Sequence, residues 1–169
     1  MEEKRYAILY SSKTGNTQKL AETIHAALGG ENCVYIGDGE GTELQADRLY
    51  IGFWTDKGTA DAATLGLLKT LKNKEIFLFG TAGFGGDASY FEKILAAVKA
   101  NIDESNTIIG AYMCQGKMPM AVRARYEKMK QEANAMSNVD MLIENFDRAL
   151  THPDENDLQK LCALVQNEK

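Results

Sequence analysis

Residues 12–17 read S-K-T-G-N-T, a group of hydroxyl side chains around one glycine that suits a phosphate. A short apolar run, residues 6–10, precedes them, and Leu20, Ile24 and Leu28 follow at helical spacing. The first N–H groups of a helix have no acceptor within it, and the helix dipole places roughly half a positive charge at that end. These donors predict a site for a phosphate monoester where the first strand meets the first helix.

Two other interpretations of residues 12–17 are a plain helix cap and a triphosphate-binding loop. Thr14 or Asn16 alone would be enough for a cap, whereas the segment offers three hydroxyls and a glycine within six residues. The spacing G-x-x-x-x-G-K-[ST], which holds nucleoside triphosphates together with magnesium, does not match this segment. The pattern therefore favours a monophosphate.

Residues 54–59, W-T-D-K-G-T, follow the third predicted strand and contain the single tryptophan of the chain. An indole at a ligand-binding edge can stack on a flat heteroaromatic ring. The alternative is that Trp54 only covers the end of the sheet. Gly58 can turn its peptide group at low cost and so offer either C=O or N–H to a ligand. We predict a loop here in which Trp54, Thr55 and Gly58 contact the ligand.

A glycine-rich segment, residues 81–87, follows the fourth predicted strand, and Phe84 and Tyr90 are aromatic residues in or near it. Gly83, Gly85 and Ala88 also satisfy the dinucleotide pattern G-x-G-x-x-A. That pattern normally follows the first strand of its fold, and here it follows the fourth, so we interpret the match as coincidental. The segment is instead predicted to contact the same ligand as residues 12–17.

Alternating strands and helices must position these three segments. The apolar runs of the strands are nearly continuous, which predicts a parallel sheet covered by helices on both faces. Ligands of such sheets bind beyond the carboxyl ends of the strands, and all three segments follow a strand directly. The predicted strands are 5–10, 33–36, 48–53, 75–80 and 107–113, and the predicted helices are 17–28, 60–71, 89–100, 119–135 and 156–165.

Length and charge exclude several classes of protein. The chain of 169 residues fits one domain, 1–169, and its net charge of −5 argues against nonspecific nucleic-acid binding. No apolar run approaches the ~20 residues of a membrane helix. Its three cysteines have no C-x-x-C pair, so neither a disulfide framework nor a zinc knuckle is predicted, and no metal site is expected. We expect a cytoplasmic protein that does not bind membranes.

The segment S-K-T-G-N-T after Tyr6-Ala7-Ile8-Leu9-Tyr10 resembles the FMN phosphate loop of the flavodoxins, [ST]-x-T-G-N-T. The resemblance covers essentially the whole chain. It implies FMN and a flavodoxin-like, doubly wound α/β fold with a five-stranded parallel sheet in the order 2-1-3-4-5. Flavodoxins usually have Tyr or Trp at the second stacking place, where this chain offers Phe84 or Tyr90. The cofactor-binding residues predicted from the residues and from this resemblance are Ser12, Lys13, Thr14, Gly15, Asn16, Thr17, Trp54, Thr55, Gly58, Thr81, Ala82, Gly83, Phe84, Gly85 and Tyr90.

The same resemblance implies an electron-transfer protein that shuttles electrons from a reductase to a redox enzyme. The alternative is an FMN-dependent NAD(P)H:quinone or flavin reductase. Two features favour a carrier without catalytic residues. The chain is small and has no second domain for NAD(P)H, and no acid/base pair lies near the three segments. The chain is also similar to the flavodoxin-type proteins that accompany bilirubin reductases, which makes a bilirubin-reductase-type enzyme a candidate acceptor.

A response-regulator receiver domain shares this fold and is the rival from another functional class. It requires an acidic pair after the first strand, where this chain has Ser11 and Ser12, so we exclude it. We expect Asp56, Asp61 and Asp87 near the flavin edge, where they disfavour further negative charge on the reduced ring and can dock a basic partner. For Cys114 a buried thiol is favoured over a redox role.

Overall fold

The computed structural model describes residues 4–38, 45–85, 87–132 and 138–167. In chain order the strands are β1 (Tyr6–Tyr10), β2 (Cys33–Gly37), β3 (Arg48–Asp56), β4 (Thr59–Ala60), β5 (Glu75–Ala82) and β6 (Thr107–Gln115). The helices are α1 (Asn16–Leu28), α2 (Ala62–Thr70), α3 (Ala88–Lys99), α4 (Met120–Gln131), α5 (Val139–Ala149) and α6 (Glu155–Asn167). Within these ranges, none of the helices combines the length and the apolar character that crossing a membrane requires.

Five parallel strands form the central sheet in the order β2-β1-β3-β5-β6. The sixth strand, β4, has two residues and pairs antiparallel with the end of β3. Without β4, the order is the predicted 2-1-3-4-5, so the predicted fold is confirmed. The chain runs outward from β1 to β2 and then returns past β1 to β3. The switch in direction therefore lies at β1 and β3, where such sheets bind ligands.

Both faces of the sheet are buried because side chains of a strand alternate between its two faces. On β3, Leu49 and Ile51 belong to a buried cluster that includes Leu68 of α2 and Ile94 of α3. Tyr50 lies between them in sequence and belongs to the opposite cluster, with α1 and α6. This double burial explains why the strands are apolar at nearly every position.

The predicted loop over residues 54–59 is wrong in its first half. β3 continues through Asp56 and returns to β4 through a two-residue turn, Lys57 and Gly58. Both turn residues have positive φ, 52° and 86°, as two-residue hairpins of this kind require. Trp54 therefore lies on a strand. Because the hairpin extends to Ala60, α2 begins at Ala62 and not at the predicted residue 60.

Residues 116–154 connect β6 to α6 and contain a helical hairpin that was only half predicted. The predicted helix 119–135 is α4, which ends at Gln131; residues 133–137 lie outside the described residues. No helix was predicted over 139–149, where α5 lies antiparallel to α4. Arg123 of α4 donates to both carboxylate oxygens of Asp147 of α5, at 2.9 and 3.2 Å. The hairpin stands beside the carboxyl ends of β5 and β6.

Candidate functional site

A cleft of about 160 Å³ opens at the carboxyl ends of the strands. Segments that end or follow β1, β3, β5 and β6 line it together, so the structure brings together parts of all three predicted segments. Nine predicted site residues line the cleft: Lys13, Thr14, Asn16, Thr17, Trp54, Thr55, Thr81, Ala82 and Gly83.

The N-terminus of α1 offers unpaired main-chain donors beside this cleft. Gly15 is the N-cap, with φ 89°, and its carbonyl accepts the first helical hydrogen bond, from Lys19 N–H at 3.0 Å. Ser12 Oγ accepts from Gln18 N–H at 3.3 Å. The N–H groups of Asn16 and Thr17 have no acceptor among the described residues. The loop therefore has the free donors that a phosphate monoester needs.

The side chains of Asn16 and Thr17 are bonded into the protein rather than left free. Asn16 Nδ2 donates to the Lys117 carbonyl at 2.8 Å. Thr17 Oγ1 donates to the Phe53 carbonyl at 3.1 Å and lies 3.3 Å from Thr81 Oγ1, and the residue is 1% exposed. Asn16 and Thr17 therefore leave their N–H groups free beside the cleft while their side chains fix the loop.

Trp54 is half-buried and carries a cation on one face. Lys13 Nζ lies 5.0 Å from the centre of its ring, within the range of a cation–π interaction. The main-chain N–H of Trp54 donates to Asp61 Oδ1 at 3.3 Å. The neighbouring Thr55 Oγ1 donates to the Thr81 carbonyl at 2.8 Å. Trp54 lines the cleft, so its indole can offer a face for a flat ligand to stack on.

The other predicted site residues lie outside the lining of the cleft. Phe84 is 40% exposed at its rim, and Gly58 is at the exposed tip of the hairpin. Tyr90 packs against the α2 and α3 side of the core, with its ring centre 6.1 Å from that of Phe91, and burial raises its pKa. Because Tyr90 packs against this part of the core, it does not line the cleft. The full set outside the lining is Ser12, Gly15, Gly58, Phe84, Gly85 and Tyr90.

A fourth segment, residues 116–119, lines the cleft and was not predicted. Gly116 N–H donates to the Ala82 carbonyl at 2.9 Å, and Lys117 N–H donates to the His152 carbonyl at 3.0 Å. A Cβ on Gly116 would lie 2.5 Å from Asn16 Nδ2, so only glycine fits there. The signal that could have found this segment is its place directly after the last predicted strand, at the same edge of the sheet as the other three.

Two expectations about charged or reactive groups can now be assessed. Burial raises the pKa of the Cys114 thiol well above its ordinary value, and the side chain is 3% exposed, which agrees with a buried, unreactive thiol. Asp61 is 2% exposed and accepts from the Thr64 N–H and hydroxyl, so it is not the open charge that we expected. Asp87 is exposed, and its hydrogen bonds from Ser89 lower its pKa.

Comparisons with known proteins agree with this architecture. The family model described as "Flavodoxin domain" matches residues 7–166. The chain is 43% identical to the flavodoxin-like domain-containing protein BilS of Clostridium symbiosum, over 91% of this chain and 90% of that protein. It is 31% identical to the protein of the same name from Clostridioides difficile, over 95% and 93%. The structure of a Fusobacterium nucleatum flavodoxin bound to flavin mononucleotide superposes with a TM-score of 0.58 at 13% identity, covering 98% of this chain and 97% of that one. This last likeness concerns the fold.

Proposed function

Because the chain belongs to the flavodoxin domain family and its cofactor is FMN, we propose that it carries electrons from a separate reductase to another redox enzyme. The observation that supports FMN binding, on which this proposal depends, is the pair of free N–H groups, of Asn16 and Thr17, at the N-terminus of α1 beside the cleft. They offer a phosphate two charge-assisted hydrogen bonds without an arginine.

Residues of this chain fit the other parts of FMN as well. Trp54 supplies an aromatic face, and main-chain N–H groups of the segment around Gly83 can serve a polar ring edge. Bound FMN supplies the redox chemistry, and the protein supplies binding, orientation and electrostatics. The glycines at 15 and 116 let main chain approach the phosphate loop where a side chain would be strained or would collide.

The groups around the cleft support a carrier over a stand-alone reductase. Among the described residues that line it, the only titratable side chains are Lys13 and Lys117. Neither forms a pair with a carboxylate or histidine that could take and return a proton in a two-electron reduction of a quinone. A carrier has no need of such a pair, since it only accepts and releases electrons.

We extend the proposal to partner and location. The sequence resemblance to flavodoxin-type proteins that accompany bilirubin reductases supports a bilirubin-reductase-type enzyme as the acceptor, in the cytoplasm. The curated relatives named BilS, matched over nine-tenths of their length, support the same group of proteins. Asp56 and Asp87 are exposed acids at the carboxyl end of the sheet, which suits a basic docking face on a partner.

Turnover by the purified FMN-loaded protein tests the proposal. Alone, it should oxidise NAD(P)H very slowly. With an added flavodoxin reductase, it should pass electrons on to a bilirubin-reductase-type enzyme, and the coupling should weaken as salt screens the docking charges. Rapid, saturable NAD(P)H oxidation with a quinone by the isolated protein would instead establish the reductase alternative.

A further inference from the structure

Two side-chain amides hold the loop that follows β5. The Gly83 carbonyl accepts from Gln115 Nε2 at 3.0 Å and from Asn145 Nδ2 at 3.1 Å. Gln115 Nε2 also donates to Asn145 Oδ1 at 3.1 Å, which closes a triangle of hydrogen bonds. Gln115 is the last residue of β6, and Asn145 lies on α5. Residues far apart in the chain therefore fix one carbonyl beside the cleft.

The glycines of this loop are pressed against side chains that follow or end β6. A Cβ on Gly83 would lie 2.6 Å from Met118 Sδ, and a Cβ on Gly85 would lie 2.8 Å from Gln115 Cβ. Phe84, between them, carries the only side chain of the three residues and is 40% exposed. The main chain of residues 83–85 therefore has little room to move toward Gln115 or Met118.

The fixed carbonyl also sets the direction of the next N–H group. In a trans peptide the N–H points away from the preceding C=O. The Phe84 N–H therefore points to the side opposite Gln115 and Asn145, and no described residue accepts from it. Gly83, which forms the other half of this peptide, lines the cleft.

We propose that Gln115 and Asn145 are positioning residues for the flavin ring. By holding the Gly83 carbonyl, they turn the Phe84 N–H toward the cleft as a donor for a carbonyl oxygen of the ring. The proposal rests on the proposed function only as far as FMN binding. An amide is required at 145 because a carboxylate has no hydrogen to donate and would place charge against the Gly83 carbonyl.

Replacement of Asn145 tests this assignment with both FMN and riboflavin. In Asn145→Ala, the affinities for the two ligands should fall by the same factor, roughly fivefold, because the lost positioning concerns the ring and not the phosphate. Asn145→Asp should weaken both further. Arg148→Ala, which removes an exposed side chain of the same helix, is the matched control and should change neither affinity.

Hydrogen exchange and the flavin absorption spectrum distinguish positioning from a purely structural role. With FMN bound, the Phe84 amide should exchange faster in Asn145→Ala than in the unmodified protein, and the absorption bands of the flavin should shift. A lower Tm with unchanged affinities and an unchanged spectrum would show that Asn145 only attaches α5, which overturns the proposal. If Asn145→Ala does not fold, the same measurements on Gln115→Ala decide. An unmodified protein that binds neither ligand would overturn the proposed function itself, an outcome separate from any effect of the variants.

Discussion

At the amino end of the central sheet, Glu75 accepts hydrogen bonds from Lys4 and from Arg48, the latter at 2.9 Å, and Lys74 Nζ donates to the Ala46 carbonyl at 2.6 Å. At the carboxyl end of the same sheet, the Asn16 and Thr17 N–H groups stay without an acceptor in the described structure. The first arrangement pairs charges within the fold, and the second leaves donors free. The comparison indicates that changes at the amino end should alter stability alone, and changes at the carboxyl end should alter binding.

The largest effect is expected where the fourth segment meets the phosphate loop. Gly116→Ala should displace the Asn16 amide from the Lys117 carbonyl and weaken FMN by about tenfold, as measured by fluorescence titration. Gly66→Ala is the matched control, since a Cβ on Gly66, in α2, would meet nothing within 4 Å. Equal FMN affinity in both variants would contradict the role given to the fourth segment.

Two glycines with the same backbone conformation offer a sharper comparison. Gly15 and Gly58 have φ of 89° and 86°, and a Cβ on either would meet nothing within 4 Å. Alanine at either position should lower the free energy of unfolding by ~1 kcal/mol, through the same left-handed strain. Only Gly15→Ala should also weaken FMN several-fold more than riboflavin, because it alters the phosphate loop. A similar loss of FMN preference in Gly58→Ala would remove the distinction.

The amino end should respond to pH and leave binding unchanged. The hydrogen bond from Lys4, with that from Arg48, lowers the pKa of Glu75 in the folded protein. A lowered pKa stabilises the fold above the ordinary pKa of glutamate, about 4.3, and the contribution is lost as pH falls through the folded value. Because Glu75 and its two partners are partly exposed, Glu75→Gln should lower the free energy of unfolding by only about 1 kcal/mol at pH 7, as measured by urea unfolding. The difference from the unmodified protein should shrink in acid, with an unchanged Kd for FMN.

The smallest effect on FMN binding is expected at Trp54 and at Lys13, whose ammonium group lies over the indole ring. Because Trp54 is the single tryptophan, its emission reports on one side chain, and FMN should quench it strongly if the ring lies nearby. Lys13→Gln removes the cation from the indole face and should change the Kd for FMN by no more than about fivefold, since exposed cation–π contacts contribute only ~0.5–1 kcal/mol. Unchanged emission on FMN addition would leave Trp54 as a packing residue.

Sequence reasoning succeeded where the signal is local and failed where it depends on distant contacts. The strands and their parallel arrangement follow from apolar runs, and the strand order follows from the resemblance carried by a motif of six adjacent residues. The sequence could not show that the Thr17 hydroxyl is used inside the fold, because its partners, Phe53 and Thr81, lie on other strands. Gln115 and Asn145 escaped notice for the same reason, since their shared partner is 32 and 62 residues away.

The helix α5 is a different kind of omission. Val139, Phe146 and Ala149 are buried and lie at helical spacing, so the pattern was present in the sequence. The loop predicted at Trp54 was wrong for a further reason. β3 continues beyond its apolar run because the turn at Lys57 and Gly58 brings the two residues of β4 back to pair with its end.

That turn makes the hairpin a place where the protein can be improved. Lys57 holds a left-handed conformation, φ 52°, that asparagine adopts more easily, and Asn-Gly is the dipeptide that such turns favour. An engineer seeking heat resistance can therefore replace Lys57 by Asn without disturbing any packed side chain. The modification would raise the melting temperature and remove one positive charge from the surface.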